Sequence, residues 1–360
     1  MNCDDSLHII SPLRDSVPLS KLAKTRVFLK LDNSQPTGSF KIRGIGHLCK
    51  TFDNETCRGL SLSLQCFGVI YGLICAHQSI CDISLIAPFV SPQIAIGGNA
   101  GLAAAYSARK LGIPATILVP TSTPSFTVQR LRDEGATVSV VGEILDETIE
   151  HAMRMAENNP GWVYIPPFDD PLIWEGHTTI VKELKELMEA KPGAIILSVG
   201  GGGMLCGVVQ GLREVGWHEV PIIAMETKGA HSLNAAVQAG ELVTLPEITS
   251  VAKTLGAKRV GAQTLKVAKE HPVFSEVVTD QDAVMAIERF VDDEKILVEP
   301  ACGAALAAVY NNVVHKLQEE GKLSRDLSSV VIVVCGGNNI TLGQLQRLKE
   351  QLGLPNTIAA

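Results

Sequence analysis

The sequence predicts an α/β protein built on mostly parallel sheets with flanking helices. Three observations carry that reading. Past residue 97, short apolar, β-branched runs alternate with helical runs, which is the pattern of crossover units. Glycine clusters, GGNAG at 97, GGGG at 200 and CGGNN at 335, fall where strands should end. Parallel sheets bind ligands beyond those ends. A chain of 360 residues, 46% hydrophobic and 19% charged, can bury a large core in two lobes.

The elements follow in order. PATILVP (114–120) reads as a strand, and SFTVQRLRDEG (125–135) as a helix stopped by glycine. ATVSVVG (136–142) is strand-like, and DETIEHAMRMAENNPG (146–161) is a helix closed by Asn-Pro-Gly. AIILSV then runs into four glycines and the helix MLCGVVQGLREVG, followed by the strand PIIAME. Thr279 with Asp282 forms a capping-box variant ahead of the helix DQDAVMAIERFVDDEK. ACGAALAAVYNNVVHKLQEEG reads as one further helix, SSVVIVVCGGNN as a strand entering glycines, and ITLGQLQRLKEQLG as the closing helix.

Composition narrows the partners. A net charge of −7 without a lysine- or arginine-rich tract argues against nucleic acid and anionic membrane. The opening MNCDDSLHII lacks a secretory signal pattern. Nine cysteines show no CxxC pair or zinc spacing, so reduced thiols and a cytoplasmic location are expected. Leu60 to Cys81 is 22 uncharged residues, long enough to span a bilayer. Gln65, His77, Gln78 and several serines dilute it, and no basic cluster follows, so no membrane span is expected.

Chemistry concentrates at SVGGGGMLCG. A strand ends, four glycines turn their N–H groups inward, and a helix begins near Met204, which together make a phosphate cradle. A tight structural turn is the plainer alternative. Glu226 at the end of PIIAME would suit a dinucleotide ribose, yet strict GxGxxG fails, because Leu205, Cys206 or Met204 stands where a glycine is needed. No GxxxxGK[ST] occurs either. In SQPTGSFKIRG (34–44), Lys41 follows an aromatic and precedes Arg43. It is either a solvated lysine or one whose basicity is lowered by burial and a nearby cation, able to form a Schiff base. An aldehyde cofactor carrying a phosphate, pyridoxal 5′-phosphate, would join Lys41 to the tetraglycine loop.

SFKIRG, GGNAG, SVGGGGMLCG, VEPACGAALAA and VVCGGNN, in this order, resemble the serine/threonine dehydratase family of fold-type-II pyridoxal phosphate enzymes. The resemblance covers about residues 7–50 and 97–353. It implies a two-domain, tryptophan synthase β-like fold: a large cofactor-binding domain from 1–37 and 169–360, and a small domain over 38–168. It implies elimination of L-serine to pyruvate and ammonia, and of L-threonine to 2-oxobutanoate. By the same resemblance Lys41 bonds the cofactor, Phe40 packs on its ring, and Asn99 bonds its 3′ oxygen. Gly200, Gly201, Gly202, Gly203 and Met204 hold its phosphate, and Cys335 faces its ring nitrogen. Gly97, Gly98, Asn99 and Ala100 take the substrate carboxylate. Glu226, Ala230 and Ser232 are candidate donors to a potassium ion, and a homodimer is expected.

The sequence departs from that family around one segment. Ile96 stands where the family has a carboxylate-binding serine, and Lys41 and Asn99 are 58 residues apart, roughly thirty more than expected. Residues of about 55–96 read as foreign to the fold, with Pro88 and Pro92 crowding the place of the strand that should lead into GGNAG. Weak or absent turnover follows if that segment is genuine. Two alternatives remain: a catalytically impaired cofactor-binding relative, and an NAD-dependent oxidoreductase.

Overall fold

The computed structural model describes residues 6–52, 93–143 and 145–355. The candidate span at Leu60–Cys81 and most of the atypical segment lie outside the described residues. Among the described residues no helix is long and apolar enough to cross a membrane. Among the described residues Cys49, Cys206, Cys302 and Cys335 are buried and in no disulfide.

The chain divides into two compact units, Met1–Gly44 with Phe168–Ala360, and Ile45–Pro167. The larger holds a six-stranded sheet, ordered β1 (Leu13–Asp15), β2 (Arg26–Lys30), β10 (Ser329–Val333), β7 (Ala194–Ser198), β8 (Ile222–Thr227) and β9 (Val273–Val278). β1 runs antiparallel to β2, and the other pairs are parallel. Every residue of β7, β8 and β10 is buried, which is why AIILS and SVVIV carry unbroken apolar runs instead of alternation. Helices pack around this sheet. Pro300–Tyr310, PACGAALAAVY, is buried at every position, and its apolar circumference fits that place.

The helix expected over 301–321 is instead two, Pro300–Tyr310 and Val313–Glu319. Asn312 breaks it by adopting φ 58°, a left-handed conformation that asparagine tolerates better than most residues. Thr279 caps Asp280–Glu294 with the reciprocal bonds that its sequence predicts.

The smaller unit contains a parallel sheet ordered β5 (Thr137–Val140), β4 (Ala115–Val119), β3 (Gln93–Ile96) and β6 (Val163–Ile165). β3 corrects the reading of 55–96 at its C-terminal end. The strand leading into GGNAG is present and lies between β4 and β6. Pro92 precedes it in the sequence and lies outside the described residues. Ile94 and Ile96 pack with Leu118 and Ala152 in this unit's core.

Candidate active site

Lys41 begins a helical stretch over 41–52, and the loop after β10 fixes the residues ahead of it. Phe40 N–H donates to the Cys335 carbonyl at 3.0 Å and Gly337 N–H to the Gly38 carbonyl at 3.1 Å. The Asn338 side-chain amide donates to the Thr37 carbonyl, and Ser39 bridges Gly336. Phe40 therefore sits between two neighbours: Lys41 Nζ lies 5.2 Å from its ring centroid, and the His177 ring 5.1 Å away at 49°. Burial lowers the Lys41 ammonium to about 8, while Cys335 and Glu299 act in the opposite sense.

Arg43 is not the cation behind that shift. Its guanidinium is fully buried, bonded to both Asp32 oxygens at 2.7 and 2.8 Å and to Glu183 at 2.5 Å. Lys30 reaches the same Glu183 at 2.5 Å, and Ser11 bonds Asp32 at 2.6 Å. Two cations thus meet two carboxylates, and desolvation alone lowers the Lys41 amine.

The tetraglycine loop is shaped for an anion. Gly202 adopts φ 97°, and a Cβ there would fall 2.1 Å from Thr264; at Gly201 it would strike the Phe168 ring at 2.3 Å. The loop's carbonyls point into the protein: Gly201 O accepts from Gly261 N and Thr264 Oγ1, both at 3.1 Å, and Gly202 O accepts from Cys206 N at 2.9 Å. Among the described residues, the N–H groups of Gly200, Gly201, Gly202, Gly203 and Met204 donate to no acceptor. Gly203–Glu214 is a twelve-residue helix, so its N-terminal dipole adds positive potential there. Five N–H groups without an internal acceptor, on one glycine loop and helix start, match a phosphate monoester.

The family described as pyridoxal-phosphate dependent enzymes matches residues 92–336. This chain belongs to that family. The pyridoxal-phosphate dependent enzyme described above is 63% identical over 364 residues to the L-serine dehydratase/L-threonine deaminase of Rattus norvegicus, covering 98% of this chain and 99% of the relative. It is similar in structure to a fungal L-serine ammonia-lyase from Rhizomucor miehei, with TM-score 0.81, 35% identity, and 96% and 99% of the two chains covered. A maize serine racemase superposes with TM-score 0.77 at 25% identity over 96% and 93%. Pyridoxal phosphate is accordingly its cofactor, and the fold is that of this family.

In this enzyme Cys335 Sγ lies 3.4 Å from Ser198 Oγ, where β7 and β10 end side by side. The neighbouring Cys302 thiol, with burial, pushes Cys335 well above its ordinary range, so it is a neutral thiol. Glu226 is buried at the end of β8, its oxygens accepting the Leu233 and Asn234 N–H groups at 2.8 and 2.7 Å. A carboxylate turned onto this helix start does not reach out to a ribose, and with the family membership this sets the nicotinamide reading aside. Burial pushes Glu226 up to about 8. Ala230 and Ser232 are buried nearby in sequence, and Ser232 Oγ has no partner among the described residues.

Gly97, Gly98, Asn99 and Ala100 belong to the smaller unit, whereas Phe40, Lys41, Gly200–Met204, Glu226, Ala230, Ser232 and Cys335 belong to the larger. Gly97 N–H is held by the Leu118 carbonyl at 2.8 Å, Gly98 adopts φ 76°, and the helix Gly98–Leu111 starts there. Ile96 does not take the serine's part: its side chain is 2% exposed and belongs to the core.

Sequence reasoning passed over two residues. His177 is fully buried, and neither ring nitrogen has a partner among the described residues. Burial and the Lys41 charge keep it far below its usual range, hence neutral. Glu299 lies within the quoted VEPACG, an ionisable side chain opening an otherwise apolar helix, and that contrast was the available signal.

Proposed function

We propose that this enzyme deaminates L-serine to pyruvate and ammonia, and L-threonine to 2-oxobutanoate and ammonia, by α,β-elimination. The observation that carries the reading is Lys41, a desolvated amine near 8 fixed against the loop that Cys335 opens. Pyridoxal phosphate, when bound, supplies the electron sink that makes the substrate's α-proton acidic. Lys41, with much of its amine neutral near pH 8, is the base that takes that proton. The N–H groups of Gly200–Met204 would hold the phosphate, and Phe40 would pack on the cofactor ring. Cys335, a neutral thiol, would face the ring nitrogen without offering it an anion, an arrangement that favours loss of the β-hydroxyl over return of the α-proton. By the family resemblance Asn99 would bond the cofactor's 3′ oxygen, and the backbone N–H groups of Gly98, Asn99 and Ala100 would take the substrate carboxylate at a helix start, Gly97 N–H being committed to the Leu118 carbonyl. The 63% identity to an L-serine dehydratase/L-threonine deaminase supports the substrate assignment.

Potassium is the proposed ion at Glu226, Ala230 and Ser232, supported by the buried carboxylate and the unpartnered Ser232 hydroxyl. A cytoplasmic homodimer is the proposed working form. Purified chain with added pyridoxal phosphate should release pyruvate from L-serine and 2-oxobutanoate from L-threonine, read by coupled reduction of the keto acid. Lys41→Ala should release neither. Absence of both products from the unsubstituted, cofactor-loaded chain would refute the proposal.

A further inference from the structure

Three helical segments of the larger unit approach one another through glycine. The helix Gly203–Glu214, which continues the phosphate loop, turns Gly203, Gly207 and Gly211 toward residues 168–181. A Cβ on Gly207 would lie 2.4 Å from His177 Cβ and 2.5 Å from the Trp174 carbonyl oxygen, and one on Gly211 would lie 2.9 Å from Val181 Cβ. Gly176, in the short helix Pro171–His177, meets the chain that follows Lys41 in the same way. Its Cβ would fall 2.3 Å from the Arg43 carbonyl oxygen and 2.7 Å from Gly44 Cα. The short helix thus touches both the helix of the phosphate loop and the segment that Lys41 opens.

His177 stands where the three meet. Its Cβ lies against Gly207, its Cε1 would be 2.7 Å from a Cβ on Gly44, and its ring packs on Phe40 at 5.1 Å and 49°. The side chain is fully buried, and neither ring nitrogen has a partner among the described residues. Burial also keeps the ring neutral. What His177 gives its neighbours is therefore volume, and neither a bond nor a charge. Interiors are packed so closely that the volume of one side chain sets the distance between the backbones around it.

We infer that His177 is a positioning residue, a spacer that fixes the distance between the phosphate loop and the turn bearing Lys41. The inference rests on the proposed reading of those two places as the cofactor's points of attachment. Pyridoxal phosphate carries its aldehyde and its phosphate arm on adjacent ring atoms, so the reach between them is set by the molecule. At one end the Lys41 amine adds to the aldehyde carbon and the carbonyl oxygen leaves as water. Each attachment strengthens the other only where the protein's spacing matches that reach. Without the ring, Phe40 and the Lys41 turn settle toward Gly207, and the match is lost.

The test separates the two attachments. Full-length chain freed of cofactor is titrated with inorganic phosphate by calorimetry, and with pyridoxal and pyridoxal phosphate by visible absorbance. His177→Ala should bind phosphate and pyridoxal as the unsubstituted chain does, yet bind pyridoxal phosphate at least about tenfold more weakly. His177→Leu, close in volume and without ring nitrogens, should match the unsubstituted chain with all three. Unchanged affinity of His177→Ala for pyridoxal phosphate overturns the inference, as does an equal weakening toward all three ligands, which would mean general damage. A loss in His177→Leu as large as in His177→Ala also overturns it, because the ring's nitrogens and not its size would then matter. If His177→Ala does not fold, His177→Asn is held to the same outcomes. An unsubstituted chain that binds pyridoxal phosphate no more tightly than pyridoxal would instead count against the two attachment points, whatever the variants do.

Discussion

Stability of this protein should fall as pH rises through neutrality, and Glu226 should be the cause. Its carboxyl sits at about 8 in the folded chain against an ordinary 4.5, because burial penalises the charged form more than the Leu233 and Asn234 N–H groups repay. Between those values the folded state keeps a proton that the unfolded state has released, so unfolding becomes easier with each step upward in pH. Other groups restrict the clean window. His177 and His271, held below 6.5, add stability as pH rises toward 6.5, and Lys41, lowered to about 8 from 10.5, adds it above 8. From pH 6.5 to 8 Glu226 dominates, and at 1.36 kcal/mol per pH unit it should remove about 2 kcal/mol. Urea unfolding of the full chain at half-unit steps, in tetramethylammonium chloride, measures this directly. Glu226→Gln should flatten the slope, and potassium chloride at equal ionic strength should flatten it in the unsubstituted chain only. An equal slope in Glu226→Gln would refute the linkage, and indifference to potassium would refute the proposed ion site.

Three further outcomes are expected. Gly202→Ala forces a side chain into a left-handed conformation 2.1 Å from Thr264, so it should cost roughly 2–5 kcal/mol and weaken cofactor uptake, read by visible absorbance titration. Arg43→Leu leaves Asp32 and Glu183 buried without their main partner, and chemical denaturation should show a loss of about 3–5 kcal/mol. Ile96→Ser restores the family's residue type but opens a core contact with Leu118. It should destabilise by about 2–4 kcal/mol without lowering the KM for L-serine; a lowered KM would mean that the side chain reaches the substrate.

The parts of the fold legible in the sequence are short apolar or β-branched runs close to a glycine or proline: β4, β5, β7, β8 and β10. Among them β7, β8 and β10 are buried at every residue. β3 was hidden because four residues, QIAI, follow two prolines and carry no alternation of their own; pairing with β4 and β6 makes them a strand. β9 keeps a glutamate and only partial burial, as an edge strand can, and offers a weak pattern. At the site, Lys41 and the tetraglycine loop are local signals within a few residues. Glu299 is not, since its partners Thr254 and Asn339 arrive from 45 and 40 residues away. Arg43 misled for the same reason: its nearness to Lys41 in sequence says nothing of Asp32 and Glu183, which claim its charge.

The order of strands in the larger sheet also sets a timetable for synthesis. β10 lies between β2 and β7, pairing Ser329 with Arg26 and Val333 with Lys30. The amino-terminal strand must therefore wait for residues more than 290 positions later, and loop closure over that distance is slow. The turn that holds Phe40 in front of Lys41 comes from the same late segment, Cys335 to Asn338. A chain not yet extended past residue 338 cannot present a finished lysine. A chain truncated before residue 335 should translate, and even collapse, yet never colour with pyridoxal phosphate.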